Sequence, residues 1–429
     1  MSLTIKVLLG VLLGIVLGLT INLMGLNTSG YWVKEYIVDG LFLVVGKMFI
    51  NGLKMLVVPL VFFSLICGVC GIGNINTLGR VGGKAFLLYL MTTAIAIVVA
   101  ITISVSAGLG DGMVIESESG FSAKPTPPLT DVLINIIPSN PIQAMANGDM
   151  LPLIFFAILL GISILLVGEK AKPFIQAAEI ANEIMMKMVM VVMAVAPYAV
   201  FVLISRSIAE LGLDLLSQLA GYVLVLVGAL FFHLFVTLMV VLKLFSGLNL
   251  RTFLRKVRGA QVFAFSTASS NATIPVTLHA VIQRLGVNNS VASFTVPFGA
   301  TINMDGTAIM QGVATVFIAN LYGVELGMAG YLTVIMMSVL ASIGTAGVPG
   351  VGLIMLSMVF TQVGLPEEGI GLILGVDRLM DMIRTSVNVT GDAVVSTIVA
   401  KSEDSLDMAL YDDFYTGAVD TSDLHIGSK

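Results

Sequence analysis

Apolar runs long enough to cross a bilayer alternate with short polar breaks through the first part of the chain, at 4–25, 40–70, 84–109, 128–168, 174–210 and 216–247. About 20 apolar residues in a helix span the hydrocarbon core, so each run predicts at least one membrane-crossing helix. From about 259 to 401 the chain stays apolar but is punctuated by three clusters: Ser266 to Pro275, Asn303 to Thr307, and Ala341 to Gly350. Straight helices do not tolerate such breaks beside lipid. The outer two clusters each sit mid-way in an apolar stretch of roughly 35 residues. Each predicts a helical hairpin that enters the membrane, turns at its Ser/Gly/Pro tip and leaves on the same side. Each hairpin precedes one polar-marked span, the last at about 369–401. Hairpin, helix, hairpin, helix is the order of an inverted repeat around a midplane site. The plain alternative is two ordinary helices kinked by Ser, Gly and Pro.

Composition extends the membrane reading to the whole chain. Charged residues make up 11% and hydrophobic residues 57% of 429, against roughly 25% charged in soluble domains, and mean hydropathy is +1.03. An ordinary cytosolic enzyme is excluded. With a net charge of −5 and no long basic block, nucleic-acid binding has no electrostatic footprint. Basic residues mark the cytoplasmic side: Arg80 and Lys84, then Lys170 and Lys172, then Lys243, Arg251, Arg255, Lys256 and Arg258. The N-terminus falls on that side too. The 107–131 loop carries Lys124 against Asp111, Glu116, Glu118 and Asp131 and reads as external. The first run lacks a small-residue cleavage site and reads as a retained span, not a signal peptide. Cys67 and Cys70 have no second ligand pair and read as helix packing; Lys47 and Lys54 read as snorkelling or interface residues. The acidic residues after Lys401 read as a solvated cytoplasmic tail.

The last span concentrates the chemistry. Asp377, Asp381, Arg384, Asn388 and Asp392 are spaced 4, 3, 4 and 4 apart. At about 100° per residue they fall within an arc of roughly 80°, one helix face. A charge at the bilayer centre costs about 2.5–3.5 kcal/mol on insertion scales, so the face needs a purpose. A salt bridge from Asp381 to Arg384 is the simplest, but it leaves Asp377, Asn388 and Asp392 unaccounted for. With the hairpin tips alongside, the face becomes a site. Helix N-termini bind one carboxylate, Arg384 a second and Asp381 an ammonium group, which together describe an acidic amino acid. Asp305 and Asp392, beside broken helices, suit a small cation such as sodium, with a proton relay or a helix–helix hydrogen bond as alternatives.

At these residues the chain resembles the glutamate transporter family, the dicarboxylate/amino acid:cation symporters. The resemblance runs over nearly the whole length. It rests on Ser269-Ser270 with Pro275, on Asn303-Met304-Asp305-Gly306-Thr307, on Gly344 to Gly350, on Asp381 to Asp392, and on Asn147 to Pro152 with Ile154 to Ala157. It implies an all-α integral membrane protein of eight transmembrane helices plus two re-entrant helical hairpins, with inverted repeats, working as an elevator-type transporter. A homotrimer is implied, with scaffold at 1–78 and 128–212, a moving transport domain at 79–110 and 213–403, an external loop at 111–127 and a cytoplasmic tail at 404–429. Implied substrate contacts are Ser270, Thr307, Val348, Gly352, Asp381, Arg384, Thr385 and Asn388. Implied sodium ligands are Gly299, Asn303, Asn388 and Asp392 in one set, and Thr301, Ser342, Ile343 and Thr345 in another. Tyr89, Thr92, Thr93, Asn303 and Asp305 make a third.

The expectation is a sodium-coupled importer of L-aspartate or L-glutamate in a cell inner membrane, both termini cytoplasmic, with sodium as coupling ion and no prosthetic cofactor. The alternative is a C4-dicarboxylate or proton-coupled symporter of the same family. Its C4-dicarboxylate branch departs from acid at the positions of Asp381 and Asp392, both kept here. Family arginines near the first tip or before Arg384 are Ala268 and Met382 here, which leaves Asp381 without a second arginine. Asn271 replaces a third tip serine, and Gln311 stands where potassium-coupled members have Glu. That glutamine argues against potassium counter-transport. A hydrolase using Ser269 or Ser270 lacks a positioned base, with His279 the nearest histidine. A channel needs a continuous pore, where a carrier needs a closed site.

Overall fold

The computed structural model describes residues 3–28, 30–70, 78–112, 134, 136–345, 347 and 349–413. These residues are helical, with no strand and one isolated bridge, between Val287 and Leu406. Five stretches among them are long and apolar enough to cross a membrane: Ile5–Leu23, Val33–Cys70, Arg80–Ser106, Pro152–Ala194 and Leu215–Ser246. The chain is a multi-pass membrane protein.

Helix α1 (Leu3–Leu23) is followed by α2 (Leu43–Cys70), which continues a π-helical segment Val33–Phe42, and by α3 (Gly83–Ser106). Next come α4 (Pro141–Asn147), α5 (Met150–Val167) and α6 (Lys172–Ala194). α7 (Ala196–Phe232) leads through a π-helical turn, His233–Thr237, into α8 (Leu238–Ser246). Two of the expected runs are corrected here. The run 128–168 is broken at Gly148, whose φ of 75° ends α4, and α5 starts afresh at Met150. The run 174–210 is two helices, because α6 stops at Ala194 and α7 starts at Ala196 with Pro197 in its first turn. α7 bends again at Gly212, φ 65° and ψ −147°. Hydropathy missed the bend at Val195 because the residues on both sides are apolar.

α1 lies against the first half of α7. A Cβ at Gly10, Gly14 or Gly18 would stand 2.5, 2.9 or 2.7 Å from the carbonyl oxygens of Pro197, Phe201 and Ser205. Small residues four apart let two helix backbones approach this closely. α2 packs on α5 and α6.

The second half matches the punctuation of the sequence. α9 (Leu250–Thr267) and α10 (Ser270–His279) pack on each other through Ala268–Ser269; Ala268 takes a φ of 49°, and the Ser269 hydroxyl caps α10 by accepting from the Ala272 N–H. α11 (Asn289–Ile302) and α12 (Asp305–Leu321) are separated at Asn303–Met304, whose ψ values of 91° and 49° leave the helical region. α13 (Gly327–Gly344) and α14 (Val351–Val363) form a second helix–turn–helix unit. α15 (Gly369–Ser402) is the axis, in contact with α3, α7, α8, α9, α11 and α12.

Residues 403–413 are docked on the helices, while Asp404, Asp407, Asp412 and Asp413 stay exposed, as the solvated reading expects. Glu403 lies 2.6 Å from both Lys84 and Arg80. The Asp407 N–H donates to Gly286 O at 2.8 Å, and the Asn288 N–H to Ser405 O at 2.9 Å. α16 (Met408–Asp412) buries Tyr411, whose hydroxyl donates to Asn249 O, while the Lys256 ammonium donates to Leu410 O and Tyr411 O. The rest of the tail, 414–429, and most of the external loop, 113–133, lie outside the described residues.

Candidate substrate and cation site

All five polar residues on the marked face of α15 are buried. The simplest expectation, an Asp381–Arg384 bridge, is present: Arg384 Nη2 donates to Asp381 Oδ1 at 2.8 Å. Asp377 is not left over, because Arg384 Nη1 donates to its Oδ1 at 2.7 Å. One guanidinium thus spans two carboxylates, the geometry for which Arg is suited. Asp381 Oδ2 receives the Gly350 N–H at 3.3 Å, and Arg378 Nη1 lies 3.7 Å away. This corrects the expectation that no second arginine reaches Asp381. Arg378 sits one turn earlier on the same helix, off the marked face but within reach of it.

The tips close over this face. The Ser269 hydroxyl and the Asn271 N–H both donate to Gly347 O, at 2.7 and 3.1 Å. Ser270 is buried beside them, its Cβ 3.0 Å from where a Gly347 Cβ would stand. A Cβ on Gly352 would meet Thr307 Cγ2 at 3.3 Å and Arg384 Nη2 at 3.4 Å, so α14, α12 and α15 converge at the guanidinium. The Thr385 hydroxyl donates to Asp381 O at 2.7 Å. Asn388 Oδ1 receives the Gly306 N–H at 2.7 Å and ties the break before α12 to α15. Val348 lies outside the described residues.

Two of the three expected cation sets are assembled, with Asn303 joining them. Its Nδ2 donates to Asp392 Oδ1 at 3.0 Å and to Asn388 O at 3.3 Å, and Gly299 faces Asp392 Oδ1 so closely that a Cβ there has no room. Asp305 Oδ1 receives the Thr93 hydroxyl at 2.7 Å and that of Thr92 at 3.3 Å. Thr92 also reaches Asn303 Oδ1 at 3.4 Å. Tyr89 joins this third set through its carbonyl, which accepts from the Thr92 hydroxyl at 3.1 Å, while its own hydroxyl donates to Thr295 O, on the side of Gly299 and Asp392. These oxygens are the hard donors a small cation takes. Helix–helix hydrogen bonding, the plainer alternative for Asp305 and Asp392, is present in the same contacts. In the middle set the side-chain hydroxyls bond locally. The Ser342 and Thr345 hydroxyls donate to their own helix, at Val339 O and Ala341 O. Thr301 Cγ2 and Ile343 O both adjoin Gly68.

Sequence reasoning passed over two partners of the buried carboxylates, Arg378 and His233. Arg378 stands off the marked face by its spacing and reaches Asp381 through its long side chain. His233, whose Nε2 lies 3.1 Å from Asp305 Oδ2, is an ionisable residue in the middle of the apolar run 216–247, itself a signal of function.

Buried charges gathered where helices are interrupted, in a multi-pass protein, define a secondary transporter. The chain belongs to the sodium:dicarboxylate symporter family, whose pattern matches residues 3–402, and is therefore a transporter and not an enzyme. It is 33% identical over 368 residues to the proton/sodium-glutamate symport protein of Geobacillus stearothermophilus, covering 84% of this chain and 87% of that protein. It is 32% identical to the proton/glutamate-aspartate symporter of Escherichia coli K12, with 87% and 88% covered. A C4-dicarboxylate transport protein of Bacillus subtilis is 33% identical, with 85% and 88% covered.

Proposed function

We propose that this protein imports an acidic amino acid, L-aspartate or L-glutamate, together with sodium. The observation that carries the reading is the pairing of buried Arg384 with buried Asp381 and Asp377 beneath the two tips. An amino acid with two carboxylates and one ammonium group exchanges partners there. Its side-chain carboxylate takes over Arg384 and its ammonium takes over Asp381, so no buried charge is left without an opposite. The α-carboxylate meets N–H groups at the start of α10 and in the turn before α14. Sodium binds among Asn303, Asp392 and Asn388 O, and among Thr92, Thr93 and Asp305. The glutamate symporters among the relatives support the substrate class.

In this reading α9/α10 and α13/α14 are re-entrant hairpins added to eight transmembrane helices, and the two halves of 213–403 form an inverted repeat. Residues 1–78 and 128–212 form the scaffold of a homotrimer, against which 79–110 and 213–403 move as an elevator. The protein lies in the inner membrane with both termini cytoplasmic and works without a prosthetic group. The test is radiolabelled aspartate uptake into proteoliposomes with sodium, proton and potassium gradients imposed one at a time. A sodium gradient drives uptake; uptake indifferent to sodium overturns the coupling, and a proton gradient acting alone replaces it.

Arg378 favours a second reading. Two guanidinium groups beside Asp381 offset its charge, and a C4-dicarboxylate without an ammonium group then meets less repulsion. A C4-dicarboxylate carrier is among the relatives. Labelled succinate in the same vesicles distinguishes the two.

A further inference from the structure

His233 and Asp305 are both fully buried, and His233 Nε2 lies 3.1 Å from Asp305 Oδ2. The other oxygen of that carboxylate, Oδ1, faces the hydroxyls of Thr92 and Thr93. His233 Nδ1 has no hydrogen-bond partner among the described residues. The ring therefore serves Asp305 alone, as the tautomer whose Nε2–H donates to Oδ2. His233 also opens the π-helical turn His233–Thr237, which packs on α3, the helix of Thr92 and Thr93, and on α15. Such single-turn π segments occur largely at functional places, where they re-aim a side chain.

We propose that His233 is a positioning residue for the coupling cation: by holding Asp305 Oδ2, it aims Oδ1 into the cluster of Thr92, Thr93 and Asn303. The inference rests on the sodium reading given above and deepens it. A buried carboxylate with one oxygen unpartnered turns to share its neighbours' hydroxyls between both oxygens. The imidazole on Oδ2 fixes the carboxylate plane and leaves Oδ1 directed at the cluster. Partners that orient a ligand carboxylate in this way commonly change ion affinity on the order of 10–100-fold. The ring's work is geometric.

The test uses the full chain in proteoliposomes with the variants His233→Leu and His233→Gln. The readout is the sodium concentration for half-maximal labelled aspartate uptake, with aspartate affinity at saturating sodium and thermal unfolding measured alongside. His233→Leu is expected to raise the sodium requirement on the order of tenfold, with aspartate affinity at saturating sodium retained. His233→Gln, whose amide N–H extends to about the place of Nε2, recovers most of the loss. If the leucine variant does not fold, His233→Asn takes its place, since its shorter amide falls short of Asp305. Asparagine impaired and glutamine spared then supports the role, and equal behaviour of the two overturns it. A folded leucine variant with the wild-type sodium requirement overturns the role of His233 alone. Wild-type uptake that ignores sodium overturns the coupling reading, and this role with it.

Discussion

Arg384 Nη1 lies 2.7 Å from Asp377 Oδ1, although the two residues are seven positions apart on α15. Seven residues rise about 10.5 Å along a helix. The arginine covers that distance by running back toward the helix N-terminus, the direction long helical side chains take, and meets Asp381 on the way. Both ends of the guanidinium are thereby held, with Gly352 of α14 beside Nη2.

Replacing Arg384 by Thr leaves a ligand carboxylate, and Asp377 and Asp381, buried without their cation. We expect a loss of about 3–5 kcal/mol in aspartate binding. Asp377→Asn is milder, since an amide oxygen still accepts the hydrogen bond, and should cost about 1–3 kcal/mol. Equilibrium binding of labelled aspartate at fixed sodium measures both. Wild-type affinity in the threonine variant would show that Arg384 does not hold the substrate.

Arg378→Met removes the second guanidinium from Asp381 and keeps the apolar stem. The freed carboxylate should hold an ammonium group more strongly and repel a plain dianion more, so aspartate binding tightens while succinate competition weakens. Competition of both ligands against labelled aspartate reads the two changes together. Equal movement of the two ligands would remove Arg378 as a determinant of selectivity.

Gly14→Ile tests the contact of α1 with α7. The new Cβ would stand 2.9 Å from Phe201 O, and a branched side chain beyond it also meets Ile204, so the helices must part. Overpacking of this kind costs about 1–3 kcal/mol. Thermal unfolding of the detergent-solubilised protein should show the drop, and an unchanged midpoint would argue that α1 is not packed so closely.

The Lys84 hydrogen bond, aided by the Arg80 charge, holds the Glu403 carboxyl below its ordinary range. A carboxylate lowered on folding stabilises the folded state above its unfolded value, about 4.3, and loses that contribution as pH falls through the lower folded value. Glu403→Gln should therefore be less stable than the wild type at neutral pH, and the two should converge below about pH 4. Melting curves across pH check it. A difference that persists in acid would point to packing in place of charge.

The marked face of α15 was legible because it is a property of one helix: Asp377 to Asp392 share a face by their spacing, whatever packs against it. The turn at Ala268–Ser269 and the break at Asn303–Met304 were legible because polar and glycine- or proline-containing clusters at membrane depth signal interruption. The bend at Val195 escaped notice, since apolar residues flank it, whereas the break at Gly148 stood beside Asn147 and Asp149 and was open to being read. Arg378 was overlooked for another reason, because it stands off the marked face and still reaches Asp381 with its long stem.

What the sequence determined by itself was that the chain lives in a membrane, where its helices are broken, and which residues of the last helix face one way. Only the tertiary structure decided how the charges pair. His233 with Asp305, Glu403 with Lys84, and Asn303 with Asp392 each join residues on different elements. A charged or polar group withdrawn from water must find its partner within hydrogen-bonding distance, and which group comes that close depends on how the helices pack, a choice that no local spacing contains.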